Sequence, residues 1–247
     1  MVSKILKKHI EEYYEDLARL GIPRSLADHY VDILVEIAES SYTRFLITSF
    51  NIVNQLALKA FCAKRKFEEA CYRDVPTDPE IEYYKLVLFR VLRIAGLAKV
   101  IPEVGSNLVY APSTPRGISD IIGLTGRIVR VFDAVTFYGE PMYGGSRHVA
   151  KVLLIASKYN PNLKFCMNVK CSGLLEEHLR NLGYRVLGKG PHLKEEDFWI
   201  ELEQAVQENP SIICDYGGLG LEPVAYIFTT TPEELESLLV ATVEAWR

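Results

Sequence analysis

An α/β domain of about 150 residues, preceded by an all-helical region, is the fold class the sequence predicts. Three observations predict it. The first 73 or so residues show apolar positions at helical spacing and no strand-like run. The segment DVPTDP at 74–79 interrupts the chain as a linker with two prolines. Beyond it, short β-rich runs alternate with helical stretches. The expected division is a helical accessory domain at 1–76 and an α/β domain at 77–247.

Within the first region, Ile5, Leu6, Ile10, Tyr13, Tyr14 and Leu17 form one apolar stripe, which Gly21 and Pro23 end. Val31, Leu34, Val35 and Ala38 form a second stripe, and 43–72 reads as a long buried helix without Gly or Pro. A fourth helix is expected over 80–99, ending near Gly96, with Tyr84, Val87, Leu88, Val91 and Leu92 on its apolar face. Strands are then expected at 108–110, 127–132, 166–169, 184–187, 212–214 and 225–228, and helices at 149–159, 173–182, 198–208 and 232–246.

Composition narrows the function classes. Twenty-eight Lys and Arg against 32 Asp and Glu give a net charge of -4, so any anion site must be local. The chain lacks an apolar run of the roughly 20 residues that span a bilayer, and Glu11, Glu12 and Glu15 follow Lys4, Lys7 and Lys8 where a signal sequence would be apolar. A cytoplasmic location without membrane attachment is the expectation. The five cysteines, Cys62, Cys71, Cys166, Cys171 and Cys214, are scattered without CxxC spacing, which argues against a disulfide framework and a zinc site. His9, His29, His178 and His192 lack sequence-local partners and read as surface or packing residues.

Chemistry concentrates in a few segments. In YGGSRHVAK at 143–151, Gly144 and Gly145 let backbone approach a ligand, and Ser146 reads as the N-cap of a helix whose free N–H groups would face an anion beside Arg147, His148 and Lys151. A loop with a cap explains the same residues. The segment IPEVGSN combines Glu103, Gly105, Ser106 and Asn107, the mixture of carboxylate, hydroxyl and amide that orients a heterocycle, although a turn before a strand uses it too. The segment DYGGLGLEP brings Asp215, Gly217 and Gly218 to the end of an apolar strand, where α/β sheets collect ligands. Its glycines are not read as a dinucleotide fingerprint, so a nicotinamide cofactor is not expected. In GRIVR, Arg127 and Arg130 are read as projecting from one strand face, toward an anion or toward solvent.

Taken together, IPEVGSNLVYA, GRIVR, GGSRHVAKVLLIASKYNP, CMNVK and DYGGLGLEP resemble, in order and spacing, the archaeal-type thiamine-phosphate synthase domain, the ThiN family, over about residues 80–247. The resemblance implies a three-layer α/β/α sandwich similar to class II aldolase and epimerase folds. It implies an enzyme joining hydroxymethylpyrimidine diphosphate to thiazole phosphate with release of pyrophosphate; Mg²⁺ accompanying the diphosphate is expected from the chemistry of that group. Arg127 and His148 fall on the family's catalytic Arg and His. Glu103, Gly105, Ser106, Asn107, Arg130, Gly145, Ser146, Asn168, Asp215, Gly217 and Gly218 would line the substrate pocket. Tyr216 and Leu221 depart from the pattern, standing where the family usually carries Arg and Lys, and 188–199 lacks its Asp-Arg and Gly-Ser-Thr elements.

Two functions from different classes follow. Retention of Arg127 and His148 favours the synthase, whereas the lost cations favour a regulator that binds thiamine phosphate without making it. Residues 1–79 carry 11 Lys and Arg against 12 Asp and Glu and show no compact basic recognition helix, so nucleic acid is not the expected partner. Their abundant apolar positions, such as Phe45, Phe50 and Leu56, predict burial against the α/β domain or a homodimer partner.

Overall fold

A computed structural model describes residues 78–246 apart from 193 and 219–221. The helical accessory domain expected over 1–76 lies outside these residues. The described chain opens with helix α1 (Pro79–Leu92), whose first turn Asp78 caps by accepting from the Glu80 N–H at 2.8 Å. The helix stops earlier than expected. After a turn, Gly96 adopts φ 81°, and 97–99 belong to a 3-10 turn, Leu97–Val100. A side chain at Gly96 would also strike Val243, its Cβ lying 2.9 Å from the Val243 Cγ1.

Seven strands form the central sheet in the order β5-β2-β1-β6-β9-β8-β7. They are β1 (Leu108–Tyr110), β2 (Ile122–Leu124), β5 (Pro141–Tyr143), β6 (Phe165–Lys170), β7 (Val186–Lys189), β8 (Ile212–Asp215) and β9 (Val224–Thr229). All neighbours are antiparallel except β7 and β8. The remaining strands, β3 (Arg127–Val131) and β4 (Ala134–Tyr138), make a separate hairpin that joins the rest by mutual backbone hydrogen bonds of 2.8 Å between Ser106 and Ile128. Its turn is Phe132-Asp133, with Phe132 at φ 54° and 92% exposed, so Phe132 is a turn residue and not the expected strand end.

Helices cover both faces of the sheet. On one side, α2 (His148–Tyr159) and α4 (Glu195–Val206) contribute Val149, Val152, Leu153, Phe198 and Leu202 to a core shared with Val109, Cys166, Ile213, Tyr226 and Phe228. Alternation along the strands turns Phe165, Met167, Ile212, Cys214, Ala225 and Ile227 toward the other side. There α3 (Gly173–Asn181) and α5 (Pro232–Glu244) pack on β7 and β9, and α1 joins them through the Tyr84 hydroxyl, which donates to the Leu108 carbonyl at 2.8 Å, and through Arg90, paired with Glu233 and Glu236 of α5. Every residue of β9 is buried and five of six in β6 are, the pattern of strands covered on both faces. Truncating a central side chain such as Leu153 to Ala would cost about 2–5 kcal/mol.

Local signals explain the best-defined helix ends. The Thr231 hydroxyl accepts from the Glu234 N–H at 3.2 Å while Glu234 reaches back to Thr230 and Thr231, and Pro232 occupies the first turn. Ser172 caps α3 by accepting from the Leu175 N–H at 3.2 Å. Among the described residues no helix is long and apolar enough to cross a membrane.

Candidate functional site

The polar residues of interest gather at the carboxyl ends of β6 and β8, the start of β9 and the start of α2. His148 is the first residue of α2 and is exposed. Its Nε2 lies 2.7 Å from the Tyr226 hydroxyl. The imidazole stacks on Phe198 at 5.4 Å between centroids and tilts against Trp199 at 5.0 Å, and the Lys151 ammonium lies 3.7 Å above the Trp199 ring. Burial, reinforced by the Asp215 charge, pushes the Tyr226 phenol well above its ordinary range, so Tyr226 stays a neutral hydroxyl beside His148.

The turn before α2 differs from the sequence expectation. Arg147, not Ser146, occupies the N-cap position, in a helical conformation and without a side-chain cap bond. Ser146 is buried one residue earlier and packs close to Gly123. Gly145 has no side chain because the Gly123 carbonyl of β2 occupies that space, and Gly144 takes φ 70°. Contact between the turn and β2 therefore accounts for Gly145, and approach of a ligand is not needed to explain it.

A second group surrounds the turn at 103–107. Arg127 donates to the Val104 carbonyl, and its side chain packs where a Cβ on Gly105 would lie, 3.1 Å from the Arg127 Cδ. Arg130 Nη2 lies 2.9 Å from Glu103 Oε1, with Lys170 Nζ 3.7 Å from the same oxygen. The N–H groups of Glu103 and Val104 donate to the Glu222 carboxylate at 3.1 and 3.2 Å. The expected shared face for the two arginines is corrected: three residues apart on a pleated strand they point to opposite faces. They reach one turn because β3 runs beside 103–106 through the Ser106–Ile128 pairing.

Asn107 and Asn168 turn out to be clasps. Asn107 Nδ2 donates to the carbonyls of Leu124 and Gly126 at 2.9 and 3.0 Å, and its Oδ1 accepts from the Leu124 N–H at 3.1 Å. Three of its four hydrogen-bonding positions are thus spent inside the protein. Asn168 Oδ1 accepts from the Asn107 N–H at 2.7 Å and Nδ2 donates to the Gly105 carbonyl at 3.1 Å. Asn168 pairs directly with Tyr226 across β6 and β9, so both side chains share the α2 face. The path from Arg127 to His148 therefore runs through Gly105, Asn168 and Tyr226. The Ser106 hydroxyl is buried with no hydrogen-bond partner.

Asp215 ends β8 and accepts from the Gly217 N–H at 2.9 Å. Its Oδ1 also lies 2.9 Å from His192 Nε2, without the alignment of a hydrogen bond, while Glu201 Oε1 is 3.6 Å from His192 Nδ1. Gly217, at φ 68°, accepts from the His192 N–H at 2.6 Å, and Gly218 has no room for a side chain against the His192 carbonyl. Asp215, Gly217 and Gly218 thus anchor the 190–192 loop at the edge of the site. After the glycines the chain enters β9.

His192 is the residue the sequence concealed. Read as a surface or packing histidine without partners, it has a side chain only 3% exposed and sits between two carboxylates, edge-on to Phe198. Both partners are distant in sequence, and only the preceding Gly190-Pro191 hinted at a tight loop. Tyr226 was hidden in an apolar strand run, although its place on the Asn168 face follows from the pairing of β6 with β9.

Comparison with known proteins agrees with this architecture. The family model described as thiamine-phosphate synthase ThiN matches residues 86–241. The bifunctional thiamine biosynthesis protein ThiDN of Methanocaldococcus jannaschii is 33% identical over 131 residues, 51% of this chain and 31% of that protein. The thiamine-phosphate synthase ThiN of Methanothermobacter thermautotrophicus is 23% identical over 180 residues, 68% of this chain and 94% of its own length. This chain thus spans about a third of the first relative and nearly all of the second. Among solved structures, the C-terminal domain of phosphomethylpyrimidine kinase shares the fold, with a TM-score of 0.58 at 23% identity over 66% of this chain and 97% of that one. With the family model matched across 86–241, the chain belongs to the thiamine-phosphate synthase ThiN family.

Proposed function

We propose that the chain is a thiamine-phosphate synthase that joins hydroxymethylpyrimidine diphosphate to thiazole phosphate and releases pyrophosphate. The observation that carries this reading is the setting of His148, at the start of a 12-residue helix, against Tyr226 and an aromatic wall. In the reaction the bond from the pyrimidine methylene to the diphosphate oxygen breaks, and the oxygen keeps the electron pair. The thiazole nitrogen supplies the pair for the new carbon–nitrogen bond. Charge therefore accumulates on the leaving group, and donors aimed there lower the barrier.

His148 would donate a hydrogen bond or proton to the departing diphosphate, with Tyr226 fixing its ring and the first-turn N–H groups of α2 adding their dipole. Arg127 would turn from the Val104 carbonyl to the diphosphate, and Arg130 and Lys170 would neutralise phosphate once Glu103 is displaced. Trp199, partly buried beside His148, offers a ring for the pyrimidine to stack on. The carboxylates here do not fit a Mg²⁺ held by the protein alone, since Glu103 already faces two cations and Asp215 serves His192. Mg²⁺ would instead arrive on the diphosphate, and no step is routed through it.

A thiamine-phosphate sensor is the second reading, and one observation favours it. Tyr216, at a position where the resemblance implies a cation, directs its hydroxyl to Glu176 on the far side of the sheet. Leu221, the other departure, lies outside the described residues. The deciding experiment incubates the full chain with both substrates and Mg²⁺ and measures thiamine phosphate as product. Turnover supports the synthase; binding of thiamine phosphate without turnover moves the assignment to the sensor.

A further inference from the structure

On the sheet face opposite His148, three potential metal ligands converge without any part in the proposed reaction. They are Cys171, just after β6, Glu176 on α3 and Cys214 in β8, all buried, with their ligand atoms within 4.8 Å of one another. Among the described residues this is the only such group of three or more. We propose that Cys171, Glu176 and Cys214 form a binding site for a zinc-like thiophilic divalent cation.

Backbone geometry favours a bridging ion over a disulfide. Strand β9 lies between β6 and β8, which are therefore about 9–10 Å apart. Cys214 pairs with Ala225 of β9 and Ala225 with Val169 of β6, so Cys171, two residues beyond Val169, is offset along the sheet as well as separated from Cys214 by β9. A disulfide between backbones so separated would require movement, because its Cα atoms seldom lie beyond about 7 Å. Tetrahedral zinc, with bonds of about 2.3 Å to sulfur, holds two thiolates about 3.8 Å apart, within the spacing observed.

The surroundings suit a metal-ligating carboxylate. Glu176 Oε2 is fixed by Arg180 Nη2 at 2.6 Å, which leaves Oε1 for the ion, and the Tyr216 hydroxyl donates to that oxygen. Gly188 keeps the space open, since a Cβ there would lie 2.9 Å from Glu176 Oε1. Two thiolates and a carboxylate around a divalent cation leave one negative charge, which Arg180 offsets. Water or the Tyr216 hydroxyl completes a tetrahedron. Soft thiolates select such an ion over Mg²⁺. Zinc is held by thiolates, so its binding releases thiol protons to solvent.

The test uses the full chain, purified under reducing conditions, stripped with a chelator and titrated with Zn²⁺ against a chromogenic competitor. One tight Zn²⁺ equivalent is expected, lost in Cys171→Ser and in Cys214→Ser and weakened in Glu176→Gln. Cobalt substitution should give thiolate-to-metal charge-transfer absorption. Wild-type protein provides a check that does not depend on whether the variants fold: Zn²⁺ should shield Cys171 and Cys214 from alkylation, as read by peptide mass spectrometry. Absence of the tight equivalent, binding as tight as in the wild type in both serine variants, or alkylation of the two cysteines unchanged by Zn²⁺ would overturn the proposal. Because none of these readouts depends on substrate, the outcome is independent of the proposed synthase activity.

Discussion

Arg127, Arg130 and Glu103 meet at an exposed turn, whereas Tyr226, Asp215 and His192 are packed among rings beneath His148. Arg130 and Glu103 have side chains 43% and 71% exposed, and ion pairs of that kind contribute about 0–1 kcal/mol because water screens them and two long side chains must be ordered. In the ring-lined region His192 and Asp215 are 3% and 11% exposed, and the geometry is fixed by packing before any ligand arrives. One half of the candidate site is preorganised and the other is exchangeable. A diphosphate can displace Glu103 from Arg130 cheaply, but it meets an imidazole already oriented by Tyr226 and Phe198.

The largest effect should come from the preorganised half. His148→Ala is expected to lower kcat by about 10²–10³ with a near-normal thermal midpoint, since its hydrogen bond to the leaving group strengthens as charge develops. Tyr226→Phe keeps the ring packing and removes only the hydroxyl, so it should lower kcat less, with KM little changed. Steady-state kinetics of both variants give the comparison. Normal turnover in His148→Ala, with the fold intact, would take His148 out of the mechanism and leave the exposed turn to carry it.

Asp215→Ala should then act mainly on stability. It leaves His192 buried beside Glu201 alone and deprives the Gly217 N–H of its acceptor. A loss of about 1–3 kcal/mol is expected, the cost of leaving the buried Gly217 N–H without its acceptor. Urea unfolding followed by circular dichroism measures it. A change below about 0.5 kcal/mol would mean that the loop at 190–192 is held by its backbone contacts to Gly217 and Gly218 and that the side-chain pair is dispensable.

The two halves also differed in how far the sequence disclosed them. Long periodic segments such as 149–159 and 232–244, and the apolar runs at 166–169 and 225–228, announce helices and buried strands, because one face or both must be covered. Strands β2 and β5 escaped, since their short runs carry Gly123 and Pro141, residues that weaken or end a strand pattern. Strand β4 escaped because its turn, Phe132-Asp133, lacks the Gly or Asn that usually marks a hairpin. At the site, polar residues concentrated in short motifs were legible as candidates, but their partners were not. Asn107 closes on Leu124 and Gly126, Asp215 on His192, and Cys171 on Cys214, all contacts across the fold that spacing along the chain does not encode.

The smallest effect should come from the exchangeable half, and its sign is the informative part. Glu103→Gln removes the charge that faces both Arg130 and Lys170 while keeping the size of the side chain. Since exposed pairs are weak, the thermal midpoint should stay within the equivalent of about 0.5 kcal/mol. Freed of a competing carboxylate, the two cations should bind a diphosphate a few-fold more tightly, about 1 kcal/mol at most. Isothermal titration with pyrophosphate at low and high ionic strength reads this directly, and the gain should shrink as salt rises because Arg130 lies near solvent. Weaker binding in Glu103→Gln would show the opposite arrangement. Glu103 would then be a ligand contact or an essential orienter of Arg130, and the exposed turn would prove as preorganised as the ring-lined half.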